Sequence, residues 1–300
     1  MDYHGVYAIL YAFFTASGQL DRGLMKQQVE ACLASGAHGL AALGLATEVN
    51  KLSTTEREQI MDWICTDVAG RVPVALTIAG ASVSEQTALI RQAEAAGASW
   101  LILQPPGRDI SSPALLDFFA EVMASTRLPC AIQNAPAYLG VGLEADELHA
   151  LCQLAANFKL LKGEGPALEI QQQIEAVGSA LQVFNGRGGL EFPDNLRAGC
   201  AGLIPAPDAV DRLVPLYEAF RRGDEASAER IYAEVLPCIT FVMQSIATLL
   251  CYGKRIVAWR LGVDTVYDRQ PALAPTPFGL ECAKRYADQL GPFPGNHTMR

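Results

Sequence analysis

The sequence predicts a closed (β/α)₈ barrel followed by a C-terminal helical region. Three observations carry this. Eight short apolar runs recur through the first two-thirds of the chain, at intervals that fit a strand plus its crossover helix. The runs are apolar throughout rather than alternating, as strands covered on both faces are. The segments between them carry helix start and stop signals. An open doubly wound sheet is the alternative, weakened because no run leads into G-x-G-x-x-G or G-x-x-x-x-G-K.

The first run, VYAILYAFF from Val6, precedes an amphipathic stretch that should stop at Gly36. HGLAALGL from His38 follows, then Ser53-Thr54-Thr55-Glu56, a capping box, and a stop at Gly70. VPVALTIAG from Val72 leads to a second capping box, Ser82-Val83-Ser84-Glu85, and a stop at Gly97. WLILQPP from Trp100 precedes Ser112-Pro113, a cap and first-turn pair. LPCAIQNAP from Leu128, FKLLKGE from Phe158, LQVFNG from Leu181 and AGLIPA from Ala201 complete the eight. The barrel is assigned to residues 1–208. Residues 209–300 read as helices packed on it, with breaks near Gly223, Pro237, Gly253 and Gly262, and a loose tail after Pro292.

Composition narrows the function. Half of the 300 residues are hydrophobic and 18% are charged, which excludes disorder. The net charge of −9 argues against nucleic acid or an anionic membrane as the main partner. The charge-free run 235–253 would reach across a bilayer, but Pro237, Thr240, Gln244, Ser245 and Thr248 make it a buried or subunit-facing helix. The eight cysteines form no C-x-x-C pair and the N-terminus lacks a basic start, so reduced thiols and a cytoplasmic location are expected. His4, His38, His149 and His297 are scattered, so no metal is expected, and neither a Ser-His-Asp triad nor thiol chemistry finds support.

In such a barrel the chemistry lies at the carboxyl ends of the strands. Lys162 stands out there. The chain has six lysines, and two fall in the run Phe158-Lys159-Leu160-Leu161-Lys162. Period-two alternation points Lys162 and Lys159 to opposite sides. Desolvation lowers a lysine pKa, and a neutral amine attacks a ketone to form a Schiff base. The plain structural alternative is a lysine paired with Glu164 or capping the strand end.

The order and spacing of several segments resemble the family of dihydrodipicolinate synthase and N-acetylneuraminate lyase, the pyruvate-type class I aldolases. GLATEVNKLSTTER at 44–57, IAGASVSEQTALIRQAEAAG at 78–97, NAPAYLG at 134–140, the Phe158 run and GCAGLI at 199–204 are each similar to family segments, and Gly223-Asp224, Lys254 and Arg269-Gln270-Pro271 fit its helical region. The resemblance implies a barrel enzyme, an imine at Lys162, a 2-oxo acid substrate, no cofactor, and a homo-oligomer, dimer or tetramer.

It also exposes departures. The family's catalytic tyrosine after strand five is Gln133 here, which can hydrogen-bond but cannot move protons at ordinary pH. Its hydroxyl pair after strand two is Leu45 and Ala46, and its tyrosine after strand four, given across a dimer interface, is replaced around Pro106 and Gly107. Replacements are sought in Tyr138, in a loop able to fold over the site, Thr47, as an O–H donor, and Glu164, as a proton holder whose structural alternative is a salt bridge to Arg187 or Lys159. Glu48 is expected to cap loop N–H groups. Gly186 would permit close approach to the imine, and Ile204 would offer a carbonyl to Lys162. The expected activity is a Schiff-base lyase on a 2-oxo acid other than the two best-known substrates, such as a sugar-acid dehydratase or aldolase, or a hydratase-aldolase on an arylidene pyruvate. The alternative is a barrel that has lost turnover and serves as a small-molecule binding or regulatory protein.

Overall fold

The computed structural model describes residues 3–295. Eight parallel strands close a barrel in chain order: β1 Gly5–Ile9, β2 Gly39–Ala42, β3 Val74–Ile78, β4 Trp100–Leu103, β5 Cys130–Asn134, β6 Phe158–Gly163, β7 Gln182–Asn185 and β8 Gly202–Leu203. β8 closes on β1 through Gly5↔Gly202 and Val6↔Leu203. Each strand falls on one of the eight apolar runs, and Lys159 is their single exposed residue.

The reason for that exception is local. Cys130 pairs with Phe158 and Ala131 with Leu160, so Lys159 bulges from the ladder and turns to solvent. Regular pairing then places Lys162 between Gln133 on β5 and Phe184 on β7. Tyr7, Trp100 and Phe184 come from non-neighbouring strands, yet their ring centroids lie 5.4–6.0 Å apart, so they meet across the barrel interior.

The helical layer is α1 Arg22–Ala34, α2 Thr54–Val68, α3 Val83–Ala96, α4 Ser112–Ala124, α5 Pro136–Leu139, α6 Ala145–Leu154, α7 Ala167–Val177, α8 Phe192–Arg197 and α9 Val210–Arg221, the last packed back onto β1. The Ser53–Glu56 box is complete, with bonds of 3.2 and 2.9 Å. The second box is only half formed: Ser82 takes the Glu85 N–H, but Glu85 takes the N–H of Ala81 instead. Ser111 rather than Ser112 caps α4, and its hydroxyl makes no capping bond. Gly36, Gly70 and Gly97 adopt positive φ just past their helices, as stop signals should.

Beyond α9 lie α10 Glu225–Val242, α11 Ile246–Thr248, a π-helical stretch Leu249–Gly253, α12 Lys254–Arg260 and α13 Pro277–Leu290. Gly223 and Gly262 do end helices, but Pro237 sits inside α10 and Gly253 inside a continuous path into α12. Burial of Val235, Cys238, Ile239 and Val242 holds α10 together around the proline. Gly253 is needed for close approach, since a Cβ there would collide with the Tyr11 hydroxyl and Asp208. The break comes after Val242, where Ser245 and Thr248 cap each other's backbone and the path bends by 102°. The 235–253 run is therefore two helices. Among the described residues no single helix is long and apolar enough to cross a membrane. Past Pro292 the chain is not loose at first: Phe293 is buried, 3.9 Å beneath the Arg260 guanidinium. Residues 296–300, with His297, lie outside the described residues. All eight cysteines are free.

Candidate active site

Strand pairing sets the first contacts. Lys162 sits at the carboxyl end of β6 and Glu164 follows two residues later, so both reach the barrel mouth. Lys162 Nζ lies 2.8 Å from Glu164 Oε1, with side chains only 4% and 5% exposed. The same oxygen accepts from Gln133 Nε2 at 2.6 Å. A carboxylate only accepts, so Gln133 turns its carbonyl outward, where it takes Gln104 Nε2 at 2.8 Å. Gln86 on α3 donates to the Gln104 carbonyl at 2.8 Å and holds that residue in turn. The result is a buried chain of directed bonds from Gln104 to Lys162. Gly186 closes its other side. A Cβ there would lie 2.7 Å from Glu164 Cγ and 2.8 Å from Lys162 Cε, so only glycine leaves both side chains in place.

Beside this chain lies a cleft of about 420 Å³. Leu45, Arg57, Arg108 and Tyr138 stand in its wall, and Gln104 belongs to both cleft and chain. The lining stops at Gln104; Gln133, Glu164 and Lys162 lie beyond it. Tyr138, half-buried on α5, joins the site through the cleft rather than through the amide chain.

Other candidates move. Thr47 donates to Leu10 O at 2.6 Å and accepts from Leu43 N, so its hydroxyl fastens a turn and is not available to a ligand. Ala46 is buried in the same turn, and among the described residues neither its N–H nor that of Leu45 has a hydrogen-bond partner. Glu48 holds two lysines rather than loop N–H groups: Lys51 at 2.6 Å and Lys254. Glu164 pairs with Lys162, whereas Arg187 is taken by Glu191 at 2.9 Å. Ile204 is buried just past β8, its N–H bonded to Asn185 O at 3.0 Å.

Sequence reasoning placed Gln104 at a strand end without giving it a role, and missed Gln86 and Thr77. The Thr77 hydroxyl is buried without a partner, and a Cβ at Gly44 would stand 3.4 Å from it. A polar residue closing or interrupting an apolar strand, as in WLILQ and VALTI, is the signal that marks two of them. Among the described residues no three His, Cys, Asp or Glu side chains gather as a metal site.

Comparison with known proteins bears on this geometry. The model of the dihydrodipicolinate synthetase family matches residues 2–276. The L-2-keto-3-deoxyarabonate dehydratase of Azospirillum brasilense is 28% identical over 245 residues, 79% of each chain. The 4-hydroxy-tetrahydrodipicolinate synthase of Methanoculleus marisnigri is 30% identical over 235 residues, 77% of this chain and 80% of the relative. YagE, a prophage protein of E. coli K12 solved in complex with pyruvate, superposes with a TM-score of 0.88 at 25% identity, covering 96% of this chain and 98% of that one. The chain is a lyase barrel and belongs to the dihydrodipicolinate synthetase family.

Proposed function

We propose that the chain acts on a 2-oxo acid through an imine at Lys162, as a dehydratase or aldolase of the sugar-acid type, and that Glu164 does the proton work left vacant by the missing tyrosine. The observation that carries this is the buried 2.8 Å Lys162–Glu164 contact, with room kept by Gly186. A proton passing from Nζ to the carboxylate leaves a neutral amine and a carboxylic acid, the pair that condensation needs. The amine adds to the keto carbon, Glu164 returns the proton to the resulting hydroxyl, and water leaves as C=N forms. Gln133 orients the carboxylate and moves no proton. The substrate's first carboxylate would take the N–H groups of Leu45 and Ala46 in place of side-chain hydroxyls, and the Ile204 carbonyl would face the imine. Reaction at a lysine needs no cofactor.

The name of the Azospirillum relative and the pyruvate bound to YagE favour this substrate class. Assembly as a dimer or tetramer, in the cytoplasm, belongs to the same reading. Incubation with pyruvate and borohydride, followed by peptide mass mapping, tests it: a reduced adduct on Lys162 is expected. A folded sample that gives no adduct with any of a panel of 2-oxo acids overturns it and leaves a small-molecule binding barrel as the reading.

A further inference from the structure

Most arginines of this chain sit in ion pairs, among them Arg22, Arg71, Arg197, Arg255, Arg260 and Arg269. Arg57 and Arg108 do not, among the described residues, and both line the cleft that ends at Gln104. Arg57 gives its terminal nitrogens to Ala79 O at 3.2 Å and Val49 O at 3.0 Å, and its Nε is buried without a partner. Burial pushes this guanidinium's pKa down, and the nearby Glu85 carboxylate offsets only part of that. The Arg108 stem lies over Gly140, and its head makes only a 3.5 Å contact with Tyr138 O. The carboxylate in the lining is Glu85, already accepting from Ala81 N at 2.8 Å. Two cations against one anion is an inverted balance for a chain of net charge −9.

The geometry points to an anionic far end of the substrate. We infer that the cleft receives the end remote from the keto carbon, that this end is a second carboxylate, and that Arg108 selects it, so the substrate class is a 2-oxo diacid. This rests on the imine reading only for which end of the molecule faces Lys162. The free guanidinium fork of Arg108 matches the two oxygens of one carboxylate. A phosphate would call for more donors, and both terminal nitrogens of Arg57 are already held by carbonyls.

Calorimetric titration with 2-oxoadipate and with 2-oxohexanoate, the same carbon chain without the second acid, reads the selectivity without requiring an imine. The full chain should bind the diacid about tenfold more tightly at low salt. Arg108→Ala should bring the two acids to parity, and Arg108→Lys should keep part of the preference as a point charge. Equal binding of both acids by the unaltered chain overturns the inference. So does an Arg108→Ala variant that melts normally and keeps the full preference or weakens both acids alike. Borohydride trapping is then run separately: Arg108-dependent binding with no adduct sinks the imine and leaves the anion cleft standing, whereas an adduct without diacid preference does the reverse.

Discussion

Two buried lysine–glutamate pairs lie among the described residues, and the proposed function assigns chemistry to one of them. Lys162–Glu164 stands on β6 beside a glycine, its carboxylate shared with a neutral amide, at the end of a chain of bonds that reaches a cleft. Lys254–Glu48 is sealed under the C-terminal helices. Glu48 is held a second time by Lys51, Lys254 lies 5.3 Å from the Phe14 ring centre, and burial pushes the Lys254 pKa down against the pull of Glu48. The residue types and the burial are alike. What differs is the carboxylate's second partner, a neutral amide against a second lysine, and the chain of bonds that runs from the first pair to a cleft. An amine that must lose a proton and meet a carbonyl needs one movable partner and a path. A clamp needs neither.

The comparison breaks most easily at the nucleophile. Lys162→Ala should abolish the borohydride adduct, while Lys254→Met should still form it on Lys162 at a stability cost of about 3–5 kcal/mol, since Glu48 loses a buried partner. An adduct mapped to Lys254 would reverse the assignment. Next in size is Glu164→Gln, which keeps shape and hydrogen bonding but not the proton. Adduct formation should slow by about 10²–10³-fold, at a stability cost of about 3–5 kcal/mol because Lys162 loses its buried carboxylate; an unchanged trapping rate in the folded variant removes Glu164 from the mechanism.

The sealed region can be tested by pH. Asp208 accepts the Tyr11 hydroxyl at 2.8 Å and is buried, and that burial raises its carboxyl to about 6 from an ordinary 3.8. The protonated form is thus favoured in the fold. Its contribution is fully present below about pH 4 and is lost as pH rises through about 6, on the order of 3 kcal/mol. Asp208→Asn should therefore gain on the unaltered chain between pH 4 and pH 7 in denaturant titrations. A constant difference across that window would mean that the pocket keeps the carboxylate comfortable. The smallest expected effect lies on the outer layer. Ser53→Ala removes one half of the complete capping box and should cost about 1 kcal/mol, read as a shifted urea midpoint. Ser82→Ala, in the half-formed box, should cost less; equal losses would say that the returning glutamate bond adds nothing.

Legibility followed the range of the interaction. The barrel was readable because continuous apolar runs state a two-sided burial that only a covered parallel sheet satisfies. Lys162 was readable because a lysine in such a run is an anomaly that packing alone does not explain. Its partner was less so. Glu164 was weighed as a mate of Lys162 and also of Arg187 and Lys159; the Lys159 bulge turns one of these outward, Glu191 takes another, and the pair with Lys162 is the one that forms. Thr47 illustrates the opposite error: a hydroxyl near the right strand end looks like a donor to substrate, but the backbone of Leu10 and Leu43 claims it first.

Periodicity, caps and glycine stops are properties of neighbouring residues, and they were enough to specify eight strands, most helix ends and the strand that carries the buried Lys162. Which amide orients the Glu164 carboxylate, where α10 gives way and which arginines go unpaired depend on groups as far apart in the chain as Gln133 and Glu164, or Glu48 and Lys254. Closing the barrel is what brings them within 3 Å, and no local pattern encodes a distance that exists only after closure.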